Sequence, residues 1–233
     1  MEIYFNFSKI KILIVALTFW VFNTIAMGDA NKNINEELIE AVSDQNIENL
    51  KKAIDQGADI NFEYSYKTLN GGVQKFTALS MAADSGDAKL VEFLLKNGAN
   101  VNGPSGFPNL PIYNAIFNNY YEIVKLIIDA GVNPNYAWEG KNGGTLLTNA
   151  AQFGNFDVVK VLLNKGADVN YTGNGDYTAL YRTLIYNKLD FVPYLLDHGA
   201  KLNKKDIEAL NHAWFKIDKN KKIIDLLKAK SAL

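Results

Sequence analysis

The chain has 233 residues, 48% of them apolar, and its 24 basic and 25 acidic side chains leave a net charge of −1. This length and apolar content are sufficient for a folded core. The charges are interleaved and form no basic patch, which argues against nucleic acid or an anionic membrane surface as the main partner. Cysteine is absent, which excludes disulfides, a thiol nucleophile and thiolate metal sites.

The first 28 residues have the three-part pattern of a secretory signal peptide. Lys9 and Lys11 precede an apolar run from Ile12 to Ile25, and small residues follow at Ala26 and Gly28. The apolar run is short for a membrane span, which needs roughly 20 residues. The pattern therefore predicts cleavage after Gly28 and a bacterial protein that is periplasmic or secreted. The alternative is an uncleaved signal anchor.

A Gly-x-x-x-Asn motif occurs five times, each time at the end of an apolar, helix-like stretch. Successive glycines are separated by 41, 33, 35 and 33 residues. A period near 33 residues is typical of stacked helix pairs. The five motifs are Gly57–Asn61, Gly98–Asn102, Gly131–Asn135, Gly166–Asn170 and Gly199–Asn203.

A second motif recurs upstream of the glycines with the same period. It begins at Thr77, Thr145 and Thr178, and Leu110 takes the place of Thr in a fourth copy. Together the two motifs resemble the ankyrin-repeat family, whose repeat opens with Thr-Pro-Leu-His-x-Ala-Ala and closes with Gly-Ala-Asp-x-Asn. The resemblance covers roughly residues 34 to 229 and implies an all-α ankyrin-repeat solenoid of helix-turn-helix units with β-hairpin fingers. The cleavable signal peptide precedes it.

The repeat boundaries follow from these motifs. Residues 1–28 are assigned to the signal peptide and residues 29–233 to the ankyrin-repeat domain. The ends are degenerate, as is expected of terminal repeats with one face toward water. The domain is divided into an N-cap at 33–61, repeats at 62–102, 103–135, 136–170 and 171–203, and a C-cap at 204–233.

The residues at the helix ends have predictable roles. The Thr residues are expected to cap the first helix of each repeat. Gly86 and Gly154 are expected to end that helix in the left-handed conformation, with Asn119 and Asn187 as the next-best residues at the same place. Apolar residues at helical spacing in the second helix, including Leu94 and Leu162, are predicted to be core.

Two insertions depart from the period. The segment 62–76 alternates aromatic and polar residues around Asn70-Gly71, which predicts a β-hairpin with a tight turn. A shorter surplus lies at 138–144. In the family such insertions fall in the fingers, the hairpins that project along one edge of the binding groove. Long fingers often contact a partner, although a tolerated surface loop is an equal alternative.

Aromatic residues recur where the family contacts its partners, namely on the fingers and at the end of the first helix. Aromatic rings with few charges are typical of the centre of a protein interface. The alternative is that these rings pack between a finger and its own helix. The predicted protein-binding residues are Tyr64, Tyr66, Phe107, Phe117, Trp138, Phe153, Tyr177 and Tyr186.

No catalytic or metal-binding motif is visible. Of the two histidines, His198 stands at a helix end where the family often has His for structural reasons, and His212 lies in the C-cap. The sequence therefore predicts a non-enzymatic, monomeric protein without cofactor, which holds a partner protein in the concave groove of the array. The resemblance leaves two roles open, an immunity protein against a toxic enzyme and an accessory to a resident periplasmic enzyme. A membrane-tethered scaffold is the third possibility if the signal segment stays uncleaved.

Overall fold

A computed structural model describes residues 33–67, 71–103, 110–138, 144–213 and 221–229. The predicted signal peptide, Phe107 and the side chain of His212 lie outside the described residues. The chain divides into two compact units, Met1–Asn118 and Asn119–Leu233. We describe each unit by itself.

The described part of the first unit consists of helix pairs and one β-hairpin. The first helices of successive pairs, α1, α3 and α5, pack side by side, and α2 and α4 pack against α1 and α3. This is the helix-turn-helix arrangement expected of the repeats. The elements are α1 Ile34–Ser43, α2 Ile47–Asp55, β1 Tyr64–Lys67, β2 Val73–Phe76, α3 Ala78–Ser85, α4 Ala88–Lys96 and α5 Pro111–Phe117.

The described part of the second unit repeats this pattern. Helices α7 and α9 pack side by side, while α8 and α10 pack against α7 and α9 and α6 lies against α8. The terminal helix α12 packs on α10. The elements are α6 Tyr121–Asp129, α7 Leu146–Phe153, α8 Phe156–Asn164, α9 Ala179–Ile185, a 3-10 turn Leu189–Phe191, α10 Val192–Asp197, α11 Lys204–Ala213 and α12 Lys221–Ala229.

The Thr residues cap the first helices as predicted. The Thr77 hydroxyl accepts a hydrogen bond from the Ser80 N–H at 3.2 Å, and the Ser80 hydroxyl oxygen accepts one from the Thr77 N–H at 2.9 Å. The same reciprocal pair forms at the start of α7, and the Thr178 hydroxyl caps α9. Such bonds satisfy amide groups that have no partner within the helix. Leu110 makes no side-chain cap, and Pro111 begins α5 instead.

The helices end in the left-handed conformation at the predicted residues. Gly86 and Gly154 have φ of 83° and 86°, and Asn119 and Asn187 have φ of 61° and 56°. In the first helix pair the same place is taken by Gln45 with φ of 54°, which the sequence pattern does not reveal. The core prediction is also confirmed, because Leu94 and Leu162 are fully buried.

The predicted hairpin is present. Strands β1 and β2 pair antiparallel, with Tyr64 opposite Phe76 and Lys67 opposite Val73. The predicted turn at Asn70-Gly71 falls partly outside the described residues, and Gly71 itself has φ of 79°. At the second insertion Ala137 bridges Thr145, and residues 139–143 are not described.

The closing asparagine of the Gly-x-x-x-Asn motif bonds to the next copy of the motif. In the second unit the Asn135 amide donates to the Gly166 carbonyl at 3.2 Å and accepts from the Asp168 N–H at 2.7 Å. Asn170 makes the same pair of bonds to the Gly199 carbonyl and the Lys201 N–H. We call this series of bonds the asparagine ladder. It explains why the motif ends in Asn, which carries both an acceptor and a donor.

Candidate functional site

The side chains of Tyr64 and Tyr66 lie on the less exposed face of the hairpin. Tyr64 and Tyr66 alternate with exposed residues on β1, and the Tyr66 ring stacks on Phe76 with centroids 5.8 Å apart and planes 2° apart. Burial raises the pKa of both tyrosines, and Glu36 and Tyr66 raise that of Tyr64 further. The two rings are half-buried, which fits the alternative that they pack within the finger. The exposed apolar residue of the hairpin is Val73, which the sequence analysis missed.

Phe117 is exposed at the end of α5, as predicted. It is 49% exposed and stacks on the half-buried Tyr113 at 6.2 Å, one helical turn earlier. Burial raises the pKa of Tyr113. The neighbouring Asn118 amide donates to the Asp84 carboxylate on α3 at 3.1 Å. This bond fixes the end of α5, so the Phe117 ring is presented from an ordered backbone.

Trp138 is only 5% exposed. Its ring lies edge-on to Tyr136 at 5.9 Å, and its carbonyl accepts a hydrogen bond from the Asn174 amide at 3.1 Å. A ring buried in this way supports the finger and is not offered to a partner. The sequence of a finger does not show which of its aromatic side chains turn inward. In this chain the side chain of Trp138 turns inward.

Phe153 and Tyr186 lie at equivalent ends of two helices that pack together in the second unit. Phe153 is the last residue of α7 and Tyr186 caps α9. Phe153 is half-buried, whereas Tyr186 is 44% exposed. Each precedes a residue in the left-handed conformation, Gly154 or Asn187. The equivalence predicted from the sequence is therefore present in the backbone.

A cluster around Arg182 joins these two helices. The Arg182 Nη1 group donates to Gln152 Oε1 on α7 at 2.9 Å, and the guanidinium lies 5.8 Å from the centre of the Tyr177 ring. Tyr177 in turn stacks on Tyr181 at 4.3 Å. Burial is the main cause of the raised pKa of Tyr181, and Tyr177 adds to it. The sequence predicted Tyr177 but not Arg182 or Tyr181.

Asp206 is a buried carboxylate that the sequence analysis did not single out. It accepts hydrogen bonds from the Thr178 hydroxyl at 2.7 Å, the Thr178 N–H at 3.1 Å and the Asn203 N–H at 2.9 Å. Burial raises its pKa, while these bonds and Arg182 oppose the increase. The carboxylate ties α11 to the beginning of α9. Both carboxylate oxygens take part in these bonds, which supports a structural role for Asp206.

The potential metal-ligating side chains are dispersed over the described residues. They include no group of three or more His, Cys, Asp or Glu side chains that could hold a metal ion. His198 Nδ1 lies 2.9 Å from the Tyr194 carbonyl and its ring packs on Tyr194, which agrees with a structural role at the end of α10. Within the described ranges, the helices are too short or too polar to cross a membrane.

A family model described as ankyrin repeats in three copies matches residues 38–137 and 112–206. The chain belongs to the ankyrin-repeat family. Ankyrin repeats are protein–protein interaction modules and are typically non-enzymatic. The crystal structure of the human ASB11 ankyrin repeat domain has the same fold, with a TM-score of 0.56 and 25% identity, and the match covers 70% of this chain and 69% of that one.

Two curated relatives show how widely the family is distributed. An ankyrin repeat protein of Rickettsia felis is 27% identical over 190 residues, which cover 78% of this chain and 46% of that protein. Alpha-latroinsectotoxin-Lt1a of Latrodectus tredecimguttatus is 31% identical over 134 residues, which cover 56% of this chain and 9% of the toxin. The chain thus spans less than half the length of either relative.

Proposed function

We propose that this ankyrin-repeat protein binds a partner protein through aromatic residues at the ends of its first helices, in the concave groove expected of the array. The observation that supports this most directly is the exposure of Phe117 and Tyr186, 49% and 44%, each at the C-terminal end of a first helix. Large aromatic side chains dominate the energetics of protein interfaces when a partner covers them.

The helix ends are held in place before a partner arrives. Asn118 binds Asp84 beside Phe117, and Arg182 binds Gln152 beside Phe153. Side chains on a fixed backbone lose less conformational entropy on binding than side chains on a mobile loop. This favours a rigid binding surface over a flexible one.

The proposed setting is the bacterial periplasm, where the protein acts as a monomer. The signal-peptide pattern in residues 1–28 supports export, and a chain without cysteine would have to be held together there by its hydrophobic core. Two roles fit this setting. An immunity protein would bind one toxic enzyme very tightly, and an accessory protein would form a weaker, constitutive complex with a resident enzyme.

A membrane-tethered scaffold is the competing function, and it depends on the same N-terminal segment. If residues 12–25 stay attached, the protein is anchored and its array faces one compartment. The mass of the mature protein from its host separates the two cases. A mass that lacks residues 1–28 supports the exported binding protein, and a full-length mass supports the scaffold.

The binding function is tested by affinity capture of the tagged protein from its host, with quantitative mass spectrometry of the co-eluting proteins. The variants are Phe117→Ala for the first unit and Phe153→Ala with Tyr186→Ala for the second. The matched control is Tyr121→Ala, because Tyr121 is 46% exposed but lies on a second helix. A stoichiometric partner that is lost from either aromatic variant and kept by Tyr121→Ala supports the proposal. Identical protein sets from all samples would refute it.

A further inference from the structure

The second unit carries two cations on either side of Phe153. Arg182 binds Gln152, the residue before Phe153. Lys188 lies over Gly154, the residue after it, since a methyl group added at Gly154 would lie 2.7 Å from both Cε and Nζ of Lys188. Tyr177 lies directly before the N-cap residue of α9, and Tyr186 is the C-cap residue of the same helix. We define the cationic–aromatic patch as Gln152, Phe153, Tyr177, Arg182, Tyr186 and Lys188.

The two cations of this patch form no salt bridge to a described carboxylate, although Arg182 lies in the field of the buried Asp206. Neither Arg182 nor Lys188 forms an ion pair with any described carboxylate, whereas Lys160, Lys165 and Lys205 of the same unit each do. The carboxylate that influences Arg182 electrostatically, Asp206, is buried and already bonded to Thr178. The only side-chain hydrogen bond of Arg182 to a described residue goes to a neutral amide oxygen.

The guanidinium retains a donor for an incoming group. Its Nη1 is bonded to Gln152, and its Nε is buried without a hydrogen-bond partner. Nη2 makes no hydrogen bond to a described residue and, unlike Nε, is not fully enclosed, so it is the donor left for an incoming group. Arg182 is the only arginine in the chain. Arginine pairs with carboxylates through a fork that lysine lacks.

We propose that the cationic–aromatic patch recognises an acidic segment of the partner, in which an Asp or Glu side chain is flanked by apolar residues. This rests on the protein-binding function proposed above and specifies the chemistry of its partner. The carboxylate accepts hydrogen bonds from Arg182 Nη2 and lies in the field of Lys188, while the flanking apolar groups cover Phe153 and Tyr186. Charge complementarity favours an acidic segment, because a basic or neutral one would leave Lys188 unpaired and Arg182 with only the buried Asp206 as an acidic neighbour.

The test uses random 12-residue peptides displayed on phage, selected against the full-length protein at 150 mM salt. Selected peptides are synthesised, and their affinities are measured by fluorescence polarisation. We expect the selected peptides to be enriched in Asp and Glu next to apolar residues. Arg182→Gln should weaken their binding about tenfold or more and Lys188→Gln a few-fold, with a smaller salt dependence in both variants.

The matched control is Lys125→Gln, which removes one exposed positive charge from α6 in the same unit. This variant should bind the selected peptides with an affinity within about twofold of the wild-type value. Thermal unfolding of all variants, followed by circular dichroism, shows whether each one is folded. Acidic peptides that bind the wild-type protein, the Arg182→Gln variant and the Lys125→Gln variant equally would overturn the proposal. So would a selection that yields no binders.

One outcome separates this inference from the function on which it rests. Peptides that lose binding in Phe153→Ala and Tyr186→Ala but carry no acidic residue would leave the protein-binding function intact. They would overturn only the assignment of an acidic partner.

Discussion

Replacing Asp206 with Ala is predicted to weaken the end of the second unit. The substitution leaves the buried Thr178 N–H without an acceptor, which costs about 1–3 kcal/mol. The bonds from the Thr178 hydroxyl and the Asn203 N–H are also lost, at about 0.5–1.5 kcal/mol each. Removing the charge relieves the burial cost that raises the carboxyl pKa. The expected net loss is about 2–3 kcal/mol, a large part of a typical unfolding free energy of about 5–15 kcal/mol.

Urea unfolding of the full chain, followed by circular dichroism, measures this loss. The control is Asp176→Ala, because the Asp176 carboxylate is exposed and pairs with Lys205 at the surface. Exposed salt bridges contribute about 0–1 kcal/mol to the unfolding free energy. If Asp206→Ala shifts the unfolding midpoint no more than Asp176→Ala does, the assignment of Asp206 as the tie between α9 and α11 is wrong.

The pH dependence of the same residue has a definite sign. The pKa of Asp206 in the folded protein is raised above its ordinary value of 3.8, mainly by burial, with Arg182 opposing. A carboxyl with a raised folded pKa stabilises the fold below its ordinary pKa, and this contribution is lost as pH rises through the raised value. The wild-type protein should therefore lose stability relative to Asp206→Asn as pH rises from 3.8. If the difference in unfolding free energy between the wild-type protein and Asp206→Asn does not change with pH, this account is contradicted.

Three further predictions concern stability, each measured by urea or thermal unfolding. Leu94→Ala and Leu162→Ala should each cost about 2–5 kcal/mol, because both side chains are fully buried; wild-type stability in both variants would refute the repeat register. Gln45→Gly should stabilise the first unit by up to about 1 kcal/mol, because a non-glycine residue at φ of 54° is strained; a loss of stability would show that the Gln45 side chain has a role of its own. Asn135→Ala should cost about 1–2 kcal/mol through the two ladder bonds; an unchanged midpoint would mean that water replaces these bonds without cost.

The helix ends were predictable because their signals are local. A Thr cap or a left-handed Gly, such as Thr77 or Gly86, is determined by the backbone within one turn of helix. Gln45 shows the limit, since it adopts the same conformation without a residue type that favours it. The position of such a residue therefore cannot be found from residue type alone.

The candidate site was only partly predictable because it depends on which way rings turn. Phe117 and Tyr186 are exposed as predicted, but Trp138 is buried. The difference lies in contacts made across one repeat, such as the Asn174 amide on the Trp138 carbonyl 36 residues away. The Arg182 contact with Gln152 spans 30 residues. Neither pair has a spacing that a motif search would recognise.

The asparagine ladder has a consequence for how such a chain can change over time. Asn135 and Asn170 both bind main-chain groups of the following motif, a carbonyl and an N–H. Every residue except proline supplies both of these groups, whatever its side chain. A duplicated or transplanted repeat that ends in Gly-x-x-x-Asn therefore carries an asparagine that can form the ladder bonds to the motif that follows it. Gene duplication can lengthen the protein, and mutation can alter its aromatic helix ends, while the hydrogen bonds between successive motifs stay the same.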